Sequence, residues 1–237
     1  MNKKIILTSI ALVLVIGVLV YMAYGYYQRK TLKAQNPVVT MEIADYGTVK
    51  MELYPEMAPN TVRNFIKLIN EGYYNGLTFH RVEESLIQGG DKAGDGSGST
   101  DKTIEGEFSA NGHKENTLSF TEGTLGLARR DYTLYYYYTG DSKYLTLGNN
   151  SGYDQFFITA KDCSQSFDGN YCAFGKVLEG LDIVKTLTEI ETTTETNEET
   201  GETSNTTTPV NPPAITSMTV ETFGVKYNEP KTIEENV

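Results

Sequence analysis

Apolar and polar positions alternate along VVTMEIADYGTVKMELY (residues 38–54), with Val49, Met51 and Leu53 on one side and the turn signal Asp45-Tyr46-Gly47 between two β-rich runs. Period-two alternation on both sides of a turn predicts a β-hairpin. The period then lengthens. In PNTVRNFIKLINEG (residues 59–72), Val62, Phe65, Ile66 and Ile69 recur at helical spacing between Asn60, the expected N-cap, and Gly72, which predicts an amphipathic helix lying on a sheet. Short strands are expected in LTFHRV, SLIQGGD, TLGLAR, QFFITA and AFGKV, a second short helix in GLDIVKTL and a late strand in ITSMTVETF. Many short strands with two helices predict a mainly β chain, a closed antiparallel barrel capped by helices.

Residues 5–24 break this pattern. They are almost entirely apolar, and no charge occurs between Lys4 and Arg29. At about 1.5 Å per residue such a helix spans roughly 30 Å, one bilayer core. The expected order is a short cytoplasmic tail (1–4), a transmembrane anchor (5–27) and a linker (28–36). A cleaved signal peptide, giving a secreted protein, is the alternative; YMAYGYY is a poor cleavage site, with Tyr21 where a small residue should stand. Lys3 and Lys4 compete with Arg29, Lys30 and Lys33 across the span, and a short tail is easily kept in the cytoplasm. A single-pass membrane protein with its domain outside is therefore expected.

Composition adds limits. The 237 residues are 39% apolar, enough for one core with appendages, and the net charge of -11 leaves no basic stripe for phosphates, so nucleic acid is excluded as a partner. Six glutamates and no lysine or arginine lie in residues 186–213, and 188–213 is expected to be a solvated, disordered or loosely ordered loop. Residues 225–237 read as a C-terminal tail. Cys163 and Cys172 flank SFDGN and could close a disulfide at the base of a loop, or remain two unpaired small residues. GDKAGDGSGST lacks the Gly-Lys-Ser/Thr ending of a phosphate loop and the spacing of a calcium loop, and two histidines 33 residues apart support neither a zinc site nor a serine triad.

The candidate chemistry sits in FHRVEESLIQGGD (residues 79–91), where Arg81 follows His80 in an apolar run and Gln88 precedes two glycines and Asp91. Lone polar groups in such company are either paired structural groups or the polar part of a site. Together with YGTVKMELYPEMAPNTVRNFIKLINEGYYNGLTFHRV, GTLGLAR, DQFFITA and DGNYCAFGKVLEGLDIV, in that order, this stretch resembles the cyclophilin family of peptidyl-prolyl cis-trans isomerases across residues 38–187, with a last strand near 215–223. The resemblance implies an eight-stranded antiparallel barrel closed by two helices in a domain at 37–224. It also implies a monomeric isomerase that needs no metal or cofactor and acts on proline-containing unfolded or exported polypeptides.

By the same resemblance Arg81 is the catalytic cation and Gln88 orients it and the substrate. Gln155 binds the substrate backbone and Phe157 is the floor of the proline pocket; Ala128 and Arg129 line the groove, Phe167 and Tyr171 form its outer wall, and Phe79 and Leu86 complete the substrate site. The alternative for Arg81 is a buried ion pair with a glutamate, and His80 reads as a hydrogen-bonded strand residue. Between Arg81 and Gln88 the chain is one residue shorter than the family pattern, and Ser85-Leu86 stands where a Phe-Met pair is usual, which implies a less aromatic pocket. Ser166 lies nearest the place of the family's frequent tryptophan. A non-catalytic module that binds proline segments is the rival class. Between Ala128 and Gln155 the chain is also longer than the pattern, with seven tyrosines. This insertion (131–150) is read either as an adaptable contact surface beside the groove or as a small extra hairpin packed on the barrel.

Overall fold

The computed structural model of the chain describes residues 12–25, 35–98, 102–197 and 202–234. They fall into two compact units, Met1–Gln35 and Asn36–Val237. In the first, residues 12–25 form helix α1, whose apolar side chains from Leu12 to Tyr24 are exposed. Among the described residues no helix is long and apolar enough to cross a membrane. The ends of the expected anchor, residues 5–11 and 26–27, lie outside the described residues, as do the expected tail 1–4 and residues 28–34 of the linker.

In the second unit β1 (Val38–Ile43) and β2 (Gly47–Leu53) form the expected hairpin, followed by α2 (Pro59–Asn70), β3 (Phe79–Glu83), β4 (Leu86–Gly89), β5 (Lys102–Thr103) and β6 (Thr124–Leu127). The chain continues through α3 (Thr133–Thr139), α4 (Lys143–Asn149), β7 (Phe156–Thr159), α5 (Ser164–Phe167), β8 (Cys172–Glu179) and α6 (Leu181–Leu187). It ends with β9 (Thr192–Thr196), β10 (Thr203–Pro209), β11 (Ile215–Glu221) and β12 (Ile233–Glu234). Eight strands make one antiparallel sheet in the order β11-β1-β2-β8-β6-β7-β4-β3.

The sheet curls but does not close, which corrects the expected closed barrel. Among the described residues its two ends are joined by the isolated bridge between Thr78 and Ala214, where the Phe79 amide donates to Pro213 O at 3.0 Å and the Ile215 amide to Leu77 O at 2.8 Å, and by the Gly76 amide donating to Ile215 O at 2.7 Å. Pro212 and Pro213 have no N–H to donate, so a ladder cannot continue through them. Inside the curl Phe65 of α2 meets Tyr74, Phe156 and Phe174 with ring centroids 5.2, 5.4 and 5.1 Å away. Burying each such side chain contributes roughly 1.5–3 kcal/mol.

Helix α2 is not capped by Asn60, as its sequence suggests, but begins after Ala58 with no side-chain cap of its own. The buried Glu107 carboxylate accepts instead from the amides of Asn60 at 2.9 Å and Thr61 at 2.8 Å and from the Thr61 hydroxyl at 2.8 Å. A carboxylate at the positive end of a helix satisfies free N–H groups there.

Two other expectations are corrected, and one open alternative is decided. Residues 188–213 are not loose among the described residues: β9 and β10 form a two-stranded ribbon, with hydroxyl pairs Thr193–Thr206 at 2.6 Å and Thr196–Thr203 at 3.0 Å. Repeated β-branched threonines favour extended backbone more than their polarity favours disorder. Residues 225–234 do not form a free tail, because β12 pairs with β5 and the Lys231 amide donates to Asn60 Oδ1 at 2.7 Å. Cys163 and Cys172 are free thiols rather than a bridge. Cys172 faces the core against the Thr61 hydroxyl at 3.3 Å, and burial pushes its thiol up to about 12, while the Cys163 thiol sits over the Ser85 and Lys161 carbonyls.

Candidate active site

Strand register assembles the site. Arg81 on β3 lies opposite Gln88 on β4, Gln88 opposite Phe157 on β7, Phe157 opposite Gly126 on β6, and Gly126 opposite Ala173 on β8. Directly paired residues of neighbouring strands share a face of the sheet, so these five form one row across it. At the polar end, Arg81 Nη1 donates to Gln88 Oε1 at 2.9 Å and Gln88 Nε2 donates to Gln155 Oε1 at 2.9 Å. The Ala128 amide donates to Gln155 O at 2.9 Å, which fixes the next edge of the groove.

At the apolar end the Phe157 ring stacks on Phe120, with centroids 5.5 Å apart and 18° between planes, and takes Phe167 and Tyr171 on its edges at 5.5 and 5.8 Å. Gly126 makes this possible. A Cβ there would lie 2.2 Å from Phe157 Cζ and 2.7 Å from Phe120 Cε1, so only a glycine lets the rings cross β6.

Arg81, Leu86, Gln88, Ala128, Arg129, Phe157, Phe167 and Tyr171 together line a cavity of about 150 Å³. A second cavity of about 230 Å³ adjoins it, sharing Gln88, Ala128 and Arg129 and extending past Gln155 to Arg130 and Ser151. Its rim is held by Asp91, 1% exposed, whose carboxylate accepts from the amides of Ala93, Asp95 and Gly96. Arg129 is spoken for: Nε donates to Asn170 O at 3.0 Å and the guanidinium lies 4.7 Å from the Tyr171 ring centroid.

Arg81 also makes an ion pair with Glu83, the alternative raised by the sequence. The pair is only half-buried, with the arginine side chain 42% exposed and bordering the cavity. One expected site residue is elsewhere. Phe79 is fully buried in the main core with its ring centroid 6.1 Å from that of Phe156. The register shifts between Phe79 and Arg81, and such a bulge turns Phe79 away from the face that carries Arg81. His80 is a strand residue as expected, but it is 4% exposed and neither ring nitrogen has a hydrogen-bond partner among the described residues. Burial pushes its pKa down, which favours the neutral ring.

Three groups were not singled out from sequence. Glu83 has a readable signal, an acid two residues along the same strand from the arginine. Phe120 and Gly126 have none, because what they do depends on a ring from β7 crossing β6.

Tyr135 and Tyr144 of α3 and α4 stack at 5.7 Å, Gly148 of α4 is buried, and Tyr137 and Tyr138 are open, 81% and 77% exposed. The insertion is thus a pair of short helices, with tyrosines that do not fold down over a hairpin.

Over residues 38–220 the sequence matches the family described as cyclophilin type peptidyl-prolyl cis-trans isomerase/CLD. It is 36% identical over 146 residues to peptidyl-prolyl cis-trans isomerase B of Bacillus subtilis (strain 168), covering 61% of this chain and 86% of that one. It is 34% identical over 166 residues to peptidyl-prolyl cis-trans isomerase-like 1 of Mus musculus, covering 68% and 85%. A crystal structure of a Cryptosporidium parvum cyclophilin type isomerase, determined in the presence of the dipeptide Ala-Pro, is similar with a TM-score of 0.58 at 24% identity over 78% of this chain and 98% of that one. The motifs, the half-barrel and these relatives agree, and the chain belongs to the cyclophilin-type peptidyl-prolyl cis-trans isomerase family.

Proposed function

We propose that this isomerase turns X-Pro bonds in exported, unfolded polypeptides, with Arg81 as the catalytic cation, Gln88 and Gln155 as its polar frame and Phe157 as the floor under the proline ring. The observation that carries the reading is the hydrogen-bonded chain Arg81–Gln88–Gln155, whose first two members line the cavity floored by Phe157 and whose last lines the cavity adjoining it. An X-Pro bond rotates over a barrier of about 18–20 kcal/mol because resonance must be lost. In the twisted state the imide nitrogen becomes an acceptor. A fixed cation donating to it, with the ring gripped in an apolar pocket, stabilises that state more than either planar one. Each tenfold acceleration asks for about 1.4 kcal/mol of this difference. The Ala-Pro dipeptide used with the Cryptosporidium parvum relative supports a proline-containing substrate.

The exposed tyrosines of α3 stand on the stretch between Arg130 and Ser151, both of which line the larger cavity, and this continuity supports a contact surface for client chain flanking the proline. Replacing residues 133–147 with a short glycine-serine linker should leave turnover of a proline tetrapeptide nearly unchanged in a protease-coupled assay and slow the refolding of a proline-limited protein substrate. Equal losses on both substrates would refute a client-binding role, and a parent that binds the tetrapeptide without accelerating it would refute the catalytic one.

Export is proposed from the apolar run at residues 5–24. Carbonate washing should leave the protein in the membrane pellet, and protease added to intact cells should digest the domain. Release by carbonate would contradict the anchor, and survival until lysis would reverse the orientation.

A further inference from the structure

A guanidinium has five N–H donors. For Arg81 three are engaged among the described residues: Nε donates to Glu83 Oε1 at 2.8 Å, one N–H of Nη2 donates to the same oxygen, and one N–H of Nη1 donates to Gln88 Oε1 at 2.9 Å. One N–H remains on each terminal nitrogen. Glu83 reaches the guanidinium because residues two apart on a strand share a face, and Arg81 and Glu83 are both on β3. Its carboxylate does not line the cavity that Arg81 borders.

We propose that Glu83 is a positioning residue of the isomerase, which fixes the plane of the Arg81 guanidinium so that its two remaining N–H groups face the proline-containing substrate. The proposal rests on the reading of Arg81 as the catalytic cation. Two effects of the carboxylate oppose each other. It offsets part of the arginine's charge, and it removes the freedom of a long side chain before the substrate arrives. The pair is half-buried, with side chains 42% and 30% exposed, so water screens the charge effect. The loss of freedom is not screened. Arginine has several rotatable bonds, and a fork held on two edges costs less to hold in place at the moment of reaction than a free one. Gln88 alone grips one edge. Glu83 grips the edge formed by Nε and Nη2, and only the two together define a plane.

Steady-state kinetics on a proline tetrapeptide test this with Glu83→Ala and Glu83→Gln in the full chain, each alone and combined with Arg81→Lys. Glu83→Ala should lower kcat about tenfold with KM changed less than about twofold, since misplacing a transition-state donor affects turnover more than binding. Glu83→Gln keeps one acceptor oxygen and should lose less. In the Arg81→Lys background Glu83→Ala should add no further loss, because lysine has no planar fork to orient. Turnover of Glu83→Ala equal to or above that of the parent would overturn the proposal, as would losses that multiply in the double variant. Full activity of Arg81→Lys would instead remove the reading of Arg81 on which the proposal stands, and the two failures are distinguishable.

Discussion

Arg81→Ala is expected to lower turnover of proline peptides about a hundredfold to a thousandfold, a loss of roughly 2.7–4 kcal/mol, as for removal of one preorganised donor from an oxyanion site. The interaction with the imide nitrogen exists mainly in the twisted state, so kcat should carry the loss and peptide affinity should change little. The fold should survive, because the Arg81 side chain is 42% exposed and sits outside the apolar core. Its removal leaves Glu83 and Gln88 with solvent rather than with a buried void. Kinetics and a melting curve on the same preparation check this. A stable variant with parental turnover would contradict the assignment.

The second large effect is structural and acts on the floor of the same cavity. Gly126→Ala places a methyl group 2.2 Å from Phe157 Cζ and 2.7 Å from Phe120 Cε1, both closer than atoms can approach. Phe120 has no free space to move into, and Phe157 can yield only toward the cavity it floors. Phe120 is 1% exposed and Phe157 4%, and the ring edges of Phe157 are held by Phe167 and Tyr171. Overpacking of this kind costs about 1–3 kcal/mol, which for a domain of this size lowers the melting temperature by about 2–12 °C. Displacing the floor by even about 1 Å should also cost tenfold or more in turnover. A variant that keeps both the parental melting temperature and the parental turnover would show that the stack is not needed.

Much of the fold was legible because hydrophobic period is local. Val49, Met51 and Leu53 face inward on β2 with no exposed surface, and Val62, Phe65, Ile66 and Ile69 make the buried stripe of α2, as their spacing requires. What was missed depends on partners distant in sequence. Asn60 has the chemistry of a cap, but Glu107 arrives from 47 residues away and supplies the acceptor instead. The threonine-rich stretch had the composition of a loop, yet its hydroxyls pair across β9 and β10. Closure of the barrel failed at Pro212 and Pro213, a local signal whose meaning appears only when the strand it faces is known.

The site follows the same division. Arg81, Gln88, Gln155 and Phe157 were legible through motif resemblance, and sheet register explains why they meet. Phe79 was placed in the site by the resemblance; residues two apart on a strand ordinarily share a face, but the bulge between Phe79 and Arg81 breaks that rule. Glu83 was overlooked although the same two-residue rule, unbroken there, places it beside the arginine.

The central claim is that this groove turns the X-Pro bond itself and that Arg81 drives the turning. Two-dimensional exchange NMR on a proline peptide, with the protein at a small fraction of the peptide concentration, measures that step without a coupling protease. The uncatalysed bond takes tens to hundreds of seconds. The account predicts cis–trans exchange cross-peaks at mixing times of about a second or less with the parent, and their loss with Arg81→Ala while the peptide still shifts on binding. Cross-peaks that persist undiminished in Arg81→Ala, or a parent that shifts the peptide signals without producing exchange, would contradict it.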